Sequence, residues 1–258
     1  MQASLFKTDS EWVCPQSYPD LSSYKEIAID LETCDPALTT LGSGWPTGNG
    51  HIIGVAVAVQ GNQWYFPIRH EIGPNLDDKA TLRWLQDVIS VDRDYIFHNA
   101  MYDVGWLLHE GLTLSGRIVD TMVVAPLLDE NRWSYALNAL GRDYLSERKN
   151  EQELRVAAAE FGVNAKSEMY KLPAHHVGAY AEQDAALTLR LWQHFKGLLI
   201  QQDIQDIFNL ELNVLNVVLP MRQKGVRVDL EKAELLKTEL QQKEKHILDT
   251  IVADYGVP

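Results

Sequence analysis

Residues 26–32 read EIAIDLE, a segment in which apolar and polar side chains alternate. Alternation with a period of two is typical of a β-strand. Two further segments have strand character, residues 52–59 (IIGVAVAV) and residues 63–68 (QWYFPI), and Gly61-Asn62 between them is a favourable turn pair. The sequence therefore predicts three antiparallel strands at the start of a sheet.

Helical and strand-like segments alternate after these strands. Apolar residues recur at helical spacing in residues 82–89, and residues 94–97 (DYIF) form a short apolar segment that is typical of a buried strand. The next segments are predicted as a helix at 101–110, a strand at 117–119, a helix through Leu128 with Asp120 as its N-cap, and helices at 134–145, 150–161 and 176–199. This order predicts an α/β protein with a mixed sheet that is flanked by helices.

Two long amphipathic helices are predicted beyond residue 203, at residues 204–223 and 230–252. The segment between them, residues 224–229 (KGVRVD), has the features of a helix end followed by a new N-cap. We therefore expect two parts in the chain, an α/β domain at residues 1–203 and a helical extension at residues 204–258.

The composition is that of a globular protein without disulfide bonds. The chain has 258 residues, of which 46% are hydrophobic, and this length is sufficient to bury a large core. Cys14 and Cys34 are too few for a disulfide framework or a cysteine zinc site. No apolar run approaches the roughly 20 residues of a membrane-spanning helix, and residues 1–12 (MQASLFKTDSEW) lack the pattern of a secretory signal. We expect an intracellular, cytoplasmic protein outside the membrane.

The net charge limits the kind of nucleic-acid binding that the chain can perform. It has 23 Lys and Arg residues against 36 Asp and Glu residues, which gives a formal charge of −13. This balance disfavours a binder that neutralises many phosphates with a basic surface. It remains compatible with a nuclease that holds a few nucleotides of one strand end through a metal site.

Acidic residues occur at three positions that a fold of this kind can bring together. Asp30 and Glu32 lie two residues apart on the first strand, so their carboxylates leave the same face about 7 Å apart along the backbone. Asp103 follows the short strand at 94–97, and the carboxyl ends of strands are common functional positions. Tyr180 and Asp184 are four residues apart on the long helix and therefore share one face.

Each of these features has an ordinary structural explanation when it is taken alone. The first pair also fits a solvated strand edge, the single aspartate fits a helix start that the helix dipole stabilises, and the last pair fits a buried tyrosine with a hydrogen-bond partner. The combination is much more specific. Asp-x-Glu, then Asn-x-x-x-Asp, then Tyr-x-x-x-Asp occur here in the order of the DEDD exonucleases.

Residues 25–200 therefore resemble the tyrosine-bearing branch of the DEDD 3′-to-5′ exonucleases, which has an RNase H-like fold. Residues 119–122 (VDTM), with Leu127-Leu128 after them, are similar to a helix opening of family A DNA polymerases. Residues 211–229 resemble the junction at which such enzymes begin their polymerase region. The resemblance implies that residues 1–203 are a proofreading exonuclease domain, and that residues 204–258 begin a thumb region that this chain does not complete.

The resemblance also implies roles for the acidic residues. Two divalent cations, Mg²⁺ or Mn²⁺, would bind four carboxylates that repel one another when ionised together. Asp30, Glu32 and Asp184 would hold the ion that activates the attacking water, with Asp30 bridging to a second ion that Asp103 supports. Tyr180 would orient the nucleophile, because a phenol with a pKa near 10 is a poor base at pH 7.

The substrate implied by the resemblance is the 3′ end of single-stranded DNA, with a polymerase domain in the same protein as a partner. Thr33 and Asn99 are candidates for contacts with the terminal nucleotide, and Pro36 or Leu38 is a candidate for an apolar wedge against the last base. Two alternatives remain open from the residues. One is a catalytically inactive module that only binds single strands or braces a polymerase, and the other is an RNA exonuclease of the RNase D kind.

Overall fold

The computed structural model describes residues 10–256. The prediction that the chain lacks a secretory signal rests mostly on residues 1–9, which lie outside the described residues. None of the helices between residues 10 and 256 is both long enough and apolar enough to cross a membrane. The strands are β1 (Glu26–Cys34), β2 (His51–Val59), β3 (Asn62–Pro67), β4 (Asp94–Phe97) and β5 (Arg117–Asp120). The helices are α1 (Leu38–Leu41), α2 (Asp78–Ile89), α3 (Ala100–His109), α4 (Thr121–Leu128), α5 (Leu137–Leu145), α6 (Gln152–Phe161), α7 (Gly178–Gln201), α8 (Gln205–Lys224) and α9 (Leu230–Tyr255).

The strands form one mixed sheet with the order β3-β2-β1-β4-β5. The pairs β1–β2 and β2–β3 are antiparallel, whereas β1–β4 and β4–β5 are parallel. This arrangement confirms the predicted fold class, three antiparallel strands followed by alternating helices and strands. The parallel strands β1, β4 and β5 end at the same edge of the sheet, and the chain segments after them meet there.

The core lies between the sheet and helix α7, which packs against β1, β2, β3 and β4. Leu187, Leu191 and Phe195 on α7 are buried, as their helical spacing predicts. The helix begins at Gly178, two residues later than predicted, after a 3₁₀ turn at Ala174–His176. A Cβ atom at Gly178 would lie 2.1 Å from the ring of Trp12, so only glycine allows this close contact at the helix start.

The described chain divides at Gln223 and Lys224 into two compact units. In the first unit, α8 buries one face through Phe208, Leu212, Leu215 and Leu219. The second unit consists mainly of α9, whose N-cap residue Asp229 accepts a 3.0 Å hydrogen bond from the backbone N–H of Lys232. The predicted interruption between the two long helices is therefore confirmed, including its new N-cap.

Candidate active site

Strand β1 carries Asp30 and Glu32, both half-buried, on either side of the buried Leu31. The regular pairing of β1 with β2 shifts directly after Glu32, because Glu32 pairs with Gly54 and Thr33 pairs with Ile52. A bulge of this kind inserts one extra residue and changes the direction of nearby side chains. Asp30 and Glu32 are thus placed directly before this irregularity in the pairing of β1 with β2.

Asp103 is held against β1 by a backbone hydrogen bond. The pairing of β1 with β4 ends at Ala28, so the N–H of Leu31 has no partner on β4. Asp103 Oδ1 accepts a 2.9 Å hydrogen bond from that N–H. The carboxylate of Asp103 therefore lies beside the backbone that separates Asp30 from Glu32.

Asp120 fixes the start of the helix that carries Asp103. Its carboxylate accepts hydrogen bonds from the N–H groups of Asn99 (2.9 Å), Ala100 (2.7 Å) and Met122 (2.8 Å). Two of these donors begin α3 and the third begins α4, so one carboxylate joins the first turns of both helices. The N-cap role predicted for Asp120 is confirmed, and its link to α3 is an addition that the sequence pattern does not indicate.

Tyr180 and Asp184 lie one turn apart on α7, and a lysine from another segment joins them. Lys149 Nζ donates a 3.0 Å hydrogen bond to the hydroxyl of Tyr180 and forms an ion pair with Asp184 Oδ2. The side chains of Lys149 and Asp184 are each 8% exposed. Sequence reasoning missed Lys149, because it lies in a polar connection between α5 and α6 that has no recognisable pattern.

Burial and neighbouring negative charges raise the pKa values of the carboxyl groups on β1 and α3. Burial and the neighbouring charge of Asp184 raise the pKa of Asp30 to about 7, although Lys149 opposes the shift. Burial raises the pKa of Glu32 well above its usual range, and Asp30 and Asp184 add to the increase. The pKa of Asp103 is also raised well above its usual range, by burial and then by Asp30. We refer to Asp30, Glu32, Asp103 and Asp184 as the acid cluster.

The donor atoms of the acid cluster suit a hard divalent cation, because all of them are carboxylate oxygens. Asp184 Oδ1 is buried and makes no hydrogen bond within residues 10–256. In the same part of the chain, no three His, Cys, Asp or Glu side chains are grouped so that they could hold one metal ion as they stand. The ammonium group of Lys149 lies at the other oxygen of Asp184, and it provides a positive charge there.

A cavity of about 560 Å³ adjoins the acid cluster at the carboxyl end of β1. Its lining includes both candidates for contacts with a terminal nucleotide and both candidates for an apolar wedge, together with one acid and the tyrosine: Thr33, Asn99, Pro36, Leu38, Glu32 and Tyr180. A larger cavity of about 790 Å³ is lined by residues at the beginnings of β1 and β4, such as Glu26 and Asp94, and by none of the predicted site residues. The 560 Å³ cavity lies at the carboxyl ends of the parallel strands, where ligands commonly bind in sheets of this kind.

A hydrogen-bond network fixes one wall of the 560 Å³ cavity. The hydroxyl groups of Thr33 and Tyr102 share a 2.6 Å hydrogen bond, and the Tyr102 hydroxyl lies 3.2 Å from Asp35 Oδ2. Asp35 is buried and also accepts a 3.0 Å hydrogen bond from the N–H of Gly44. Asn99 has a left-handed backbone, with φ at 76°, and its exposed side chain makes no capping hydrogen bond. Sequence reasoning missed two residues of this network: Tyr102, which directly precedes Asp103, and Asp35, which directly precedes Pro36.

The model of a protein family described as 3′-5′ exonuclease matches residues 17–200. A relative called DNA-directed DNA polymerase, from Pseudomonas phage M6, is 33% identical over 256 residues. That alignment covers 96% of this chain and 39% of the relative, so this chain spans well under half of the longer protein.

Solved structures have the same fold at low sequence identity. The polymerase domain of Pol1 from M. smegmatis, in complex with DNA primer-template and dNTP, has a TM-score of 0.66 at 18% identity, over 91% of this chain and 35% of that one. Brucella melitensis NrnC with bound Mg²⁺ has a TM-score of 0.55 at 16% identity, over 80% of this chain and 88% of that one. Both likenesses agree with an RNase H-like exonuclease fold. The chain belongs to the 3′-5′ exonuclease family found in DNA polymerase I-like proteins of phages and bacteria.

Proposed function

We propose that this chain removes nucleotides one at a time from the 3′ end of single-stranded DNA, as the proofreading domain of a longer DNA polymerase. The observation that carries the proposal is the convergence of the acid cluster and Tyr180 from β1, α3 and α7 at one edge of the sheet. Asp103 from α3 accepts a hydrogen bond from the N–H of Leu31, which lies between Asp30 and Glu32, and the charge of Asp184 on α7 contributes to the raised pKa of Asp30. Such a group of carboxylates stays ionised together only when cations neutralise it.

Two divalent ions, Mg²⁺ or Mn²⁺, are the cations that we propose for the acid cluster. Asp30, Glu32 and Asp184 would hold one ion, and Asp30 and Asp103 would hold the second. Divalent ions supply such a site with an acidified water and with positive charge at the attacking and leaving oxygens of a phosphodiester. The bound Mg²⁺ of Brucella melitensis NrnC, a protein of the same fold, supports this assignment.

Tyr180 orients the attacking water in this proposal and does not deprotonate it. Burial raises the pKa of its hydroxyl, and the neighbouring carboxylates of Asp184, Glu32 and Asp30 raise it further. The hydroxyl therefore keeps its proton at neutral pH and acts through hydrogen bonds. With this role, the chain would belong to the tyrosine-bearing branch of the DEDD exonucleases.

The 560 Å³ cavity would take the terminal nucleotide. Thr33 and Asn99 line it next to Glu32 and Tyr180, so a base and sugar in this space lie beside the carboxylates. Pro36 and Leu38 line the same cavity and offer apolar surface to the last base. The polymerase relative from Pseudomonas phage M6 supports DNA as the substrate and a polymerase domain in the same protein.

A cleavage assay tests this function directly. We would incubate a 5′-labelled single-stranded DNA with the chain and Mg²⁺ or Mn²⁺, with an EDTA control, and separate the products on a sequencing gel. Asp184→Asn should lose nearly all cleavage, because it removes a negative charge from the cluster without removing volume. Asp87→Asn is the matched control, since Asp87 is exposed on α2, and it should cleave like the wild type.

The expected result is a ladder that shortens from the 3′ end and that is absent with EDTA or with Asp184→Asn. A folded wild-type protein that makes no ladder with either metal would contradict the proposal and favour an inactive single-strand-binding module. An RNA strand of the same sequence belongs in the same gel, because the 2′-hydroxyl distinguishes the two substrates. Faster cleavage of RNA than of DNA would contradict the assignment to proofreading.

A further inference from the structure

We propose that Lys149 is a positioning residue of this site, which holds Tyr180 and Asp184 together and competes with a divalent ion for Asp184. The inference rests on the proposed function, because it concerns the residues that would orient the attacking water and hold the ion. It adds a cationic side chain from the connection between α5 and α6 to a site that otherwise consists of carboxylates and a phenol.

The position of the ammonium group carries the argument. Lys149 Nζ contacts the Tyr180 hydroxyl at 3.0 Å and Asp184 Oδ2 in an ion pair, and it lies 4.5 Å from the centre of the Tyr180 ring. Three contacts with two residues one helical turn apart restrict the relative positions of their functional groups. Lys149 therefore orients the functional groups of Tyr180 and Asp184, in addition to joining two segments of the chain.

The burial of this lysine distinguishes it from other ion-paired lysines in the described residues. The side chain of Lys149 is 8% exposed, whereas the side chains of Lys171, Lys196, Lys237 and Lys243 are between 35% and 64% exposed. Removing an ammonium group from water costs free energy, and an ion pair regains only part of that cost. A buried lysine at an acid cluster is thus a poor source of stability alone, which favours a role in the site.

The backbone on both sides of Lys149 is fixed to the helix that carries Asp184. Gln183 Oε1 accepts a 2.8 Å hydrogen bond from the N–H of Asn150, and Gln183 Nε2 donates a 3.3 Å hydrogen bond to the carbonyl of Arg148. The N–H of Lys149 donates to Asn138 Oδ1 at 3.2 Å. Gln183 directly precedes Asp184 in the sequence, so the lysine and its carboxylate partner are positioned by the same turn of α7.

The competition between Lys149 and a divalent ion follows from the way in which the carboxylate of Asp184 is shared. Lys149 contacts Oδ2, and a divalent ion that uses this carboxylate must share it with the ammonium group or displace it. The flexible stem of a lysine allows such a displacement, and the contact with the Tyr180 hydroxyl gives the ammonium group a second partner. Lys149 therefore weakens the binding of the ion that Asp184 would hold, while it keeps the Tyr180 hydroxyl aligned with Asp184.

The test compares Lys149→Met with Lys149→Arg and with a matched control. Lys196→Met is the control, because Lys196 forms an ion pair with Glu26 at the opposite end of β1. Lys196 lies twelve residues beyond Asp184 on α7, a separation of about 18 Å at 1.5 Å per residue. Two quantities are measured for each protein: Mn²⁺ binding by electron paramagnetic resonance without DNA, and kcat and KM on 5′-labelled single-stranded DNA.

The expected result is a pair of opposite changes in Lys149→Met. Mn²⁺ should bind on the order of tenfold more tightly, because a competing positive charge is lost from a site of low dielectric. The kcat should fall by at least about tenfold with KM near the wild-type value, since Tyr180 and Asp184 lose their alignment. Lys149→Arg should recover part of kcat, and Lys196→Met should change neither quantity.

A Lys149→Met protein with wild-type Mn²⁺ affinity and wild-type kcat would overturn the inference, and so would weaker Mn²⁺ binding together with lower kcat. If Lys149→Met does not fold, Gln183→Leu decides the matter. That variant keeps the ammonium group but frees its backbone, so we expect smaller changes in the same directions, and wild-type values would overturn the inference.

A wild-type protein that cleaves no DNA refutes the proposed function and the positioning role, whereas the Mn²⁺ titration still decides the competition.

Discussion

The carboxylate of Glu182 accepts a 3.0 Å hydrogen bond from the backbone N–H of Tyr65. Tyr65 lies on β3, an edge strand of the sheet, and Glu182 lies between Tyr180 and Asp184 on α7. The same carboxylate oxygen accepts a 2.8 Å hydrogen bond from Trp12 Nε1. One side chain therefore attaches the beginning of α7, between Tyr180 and Asp184, to the edge strand β3 of the sheet.

Replacement of Glu182 by alanine should lower the free energy of unfolding. The N–H of Tyr65 and the indole of Trp12 would both lose their acceptor, and one such loss costs about 1–3 kcal/mol. Urea unfolding followed by circular dichroism measures the change. Glu130→Ala is the control, because Glu130 is exposed in the loop after α4 and its loss should alter stability by less than about 0.5 kcal/mol. Equal stability of the two variants would show that this attachment contributes nothing.

Replacement of Asp120 by asparagine should reduce both stability and cleavage. In the wild type, three backbone N–H groups donate to the carboxylate oxygens of Asp120. In the variant, an amide nitrogen replaces one of these oxygens and cannot accept a hydrogen bond. Leaving an N–H group without its acceptor costs about 1–3 kcal/mol of stability. The start of α3 would shift, and Asp103 would shift with it. The measurements are the urea midpoint and the rate of ladder formation.

The control for this prediction is Asp77→Ala. Asp77 caps α2 with a 2.7 Å hydrogen bond from the N–H of Ala80, and α2 carries none of the acid cluster. Loss of this N-cap side chain should cost a similar amount of stability, about 0.5–2 kcal/mol, and leave the cleavage rate unchanged. If both variants lose cleavage to the same degree, the effect of Asp120 is one of stability alone.

His70 should make the protein less stable as the pH falls. Its Nε2 lies 2.7 Å from the Tyr65 hydroxyl and its Nδ1 lies 3.0 Å from the carbonyl of Leu172, and burial lowers its pKa to about 4. Between pH 6.5 and pH 4 the unfolded chain binds a proton at this residue that the folded chain does not bind. The stability contributed by neutral His70 is therefore complete above pH 6.5 and is lost as the pH falls towards 4.

The comparison of wild type with His70→Gln isolates this effect. Asp30 works in the opposite direction, because its pKa of about 7 in the folded chain makes stability fall as the pH rises from about 4 to 7. The wild type should therefore lose about 2 kcal/mol relative to His70→Gln between pH 8 and pH 5. Urea unfolding in EDTA at both pH values measures the difference. Parallel stability curves for the two proteins would contradict the lowered pKa.

The sequence predicts the elements that rest on local patterns and misses the contacts that rest on the fold. The strand at residues 94–97 and the N-caps Asp120 and Asp229 are predicted correctly, because alternation, apolar runs and capping residues act over a few positions. The resemblance supplies Asp30 and Asp184 as site residues, since their motifs have fixed spacing.

Lys149 is the clearest example of what the sequence does not predict. It lies thirty-five residues before Asp184 in a polar connection, and the hydrogen bonds of Gln183 and Asn138 hold that connection next to the acid cluster. The Tyr102–Asp35 contact is similar, because it joins α3 to the segment after β1 at the wall of the 560 Å³ cavity. Such contacts depend on how separate elements pack, and no periodicity or spacing in the chain encodes them.

Loss of the Tyr102 hydroxyl should weaken DNA binding through Thr33. The two hydroxyl groups share a 2.6 Å hydrogen bond that holds Thr33 at the wall of the 560 Å³ cavity. Tyr102→Phe and Thr33→Val should each raise KM for single-stranded DNA about twofold to twelvefold, the range that one net hydrogen bond of about 0.5–1.5 kcal/mol covers. The kcat should change little, because neither residue belongs to the acid cluster.

The double variant gives the decisive measurement. If Tyr102 acts only by holding Thr33, the combined change in KM should be no larger than that of either single variant, so the two effects are not additive. Tyr18→Phe is the matched control, since Tyr18 shares a 2.8 Å hydrogen bond with Thr81 away from the cavity, and it should leave KM unchanged. Fully additive effects would mean that each hydroxyl acts separately on the substrate, and unchanged KM in both single variants would remove Thr33 from the nucleotide site.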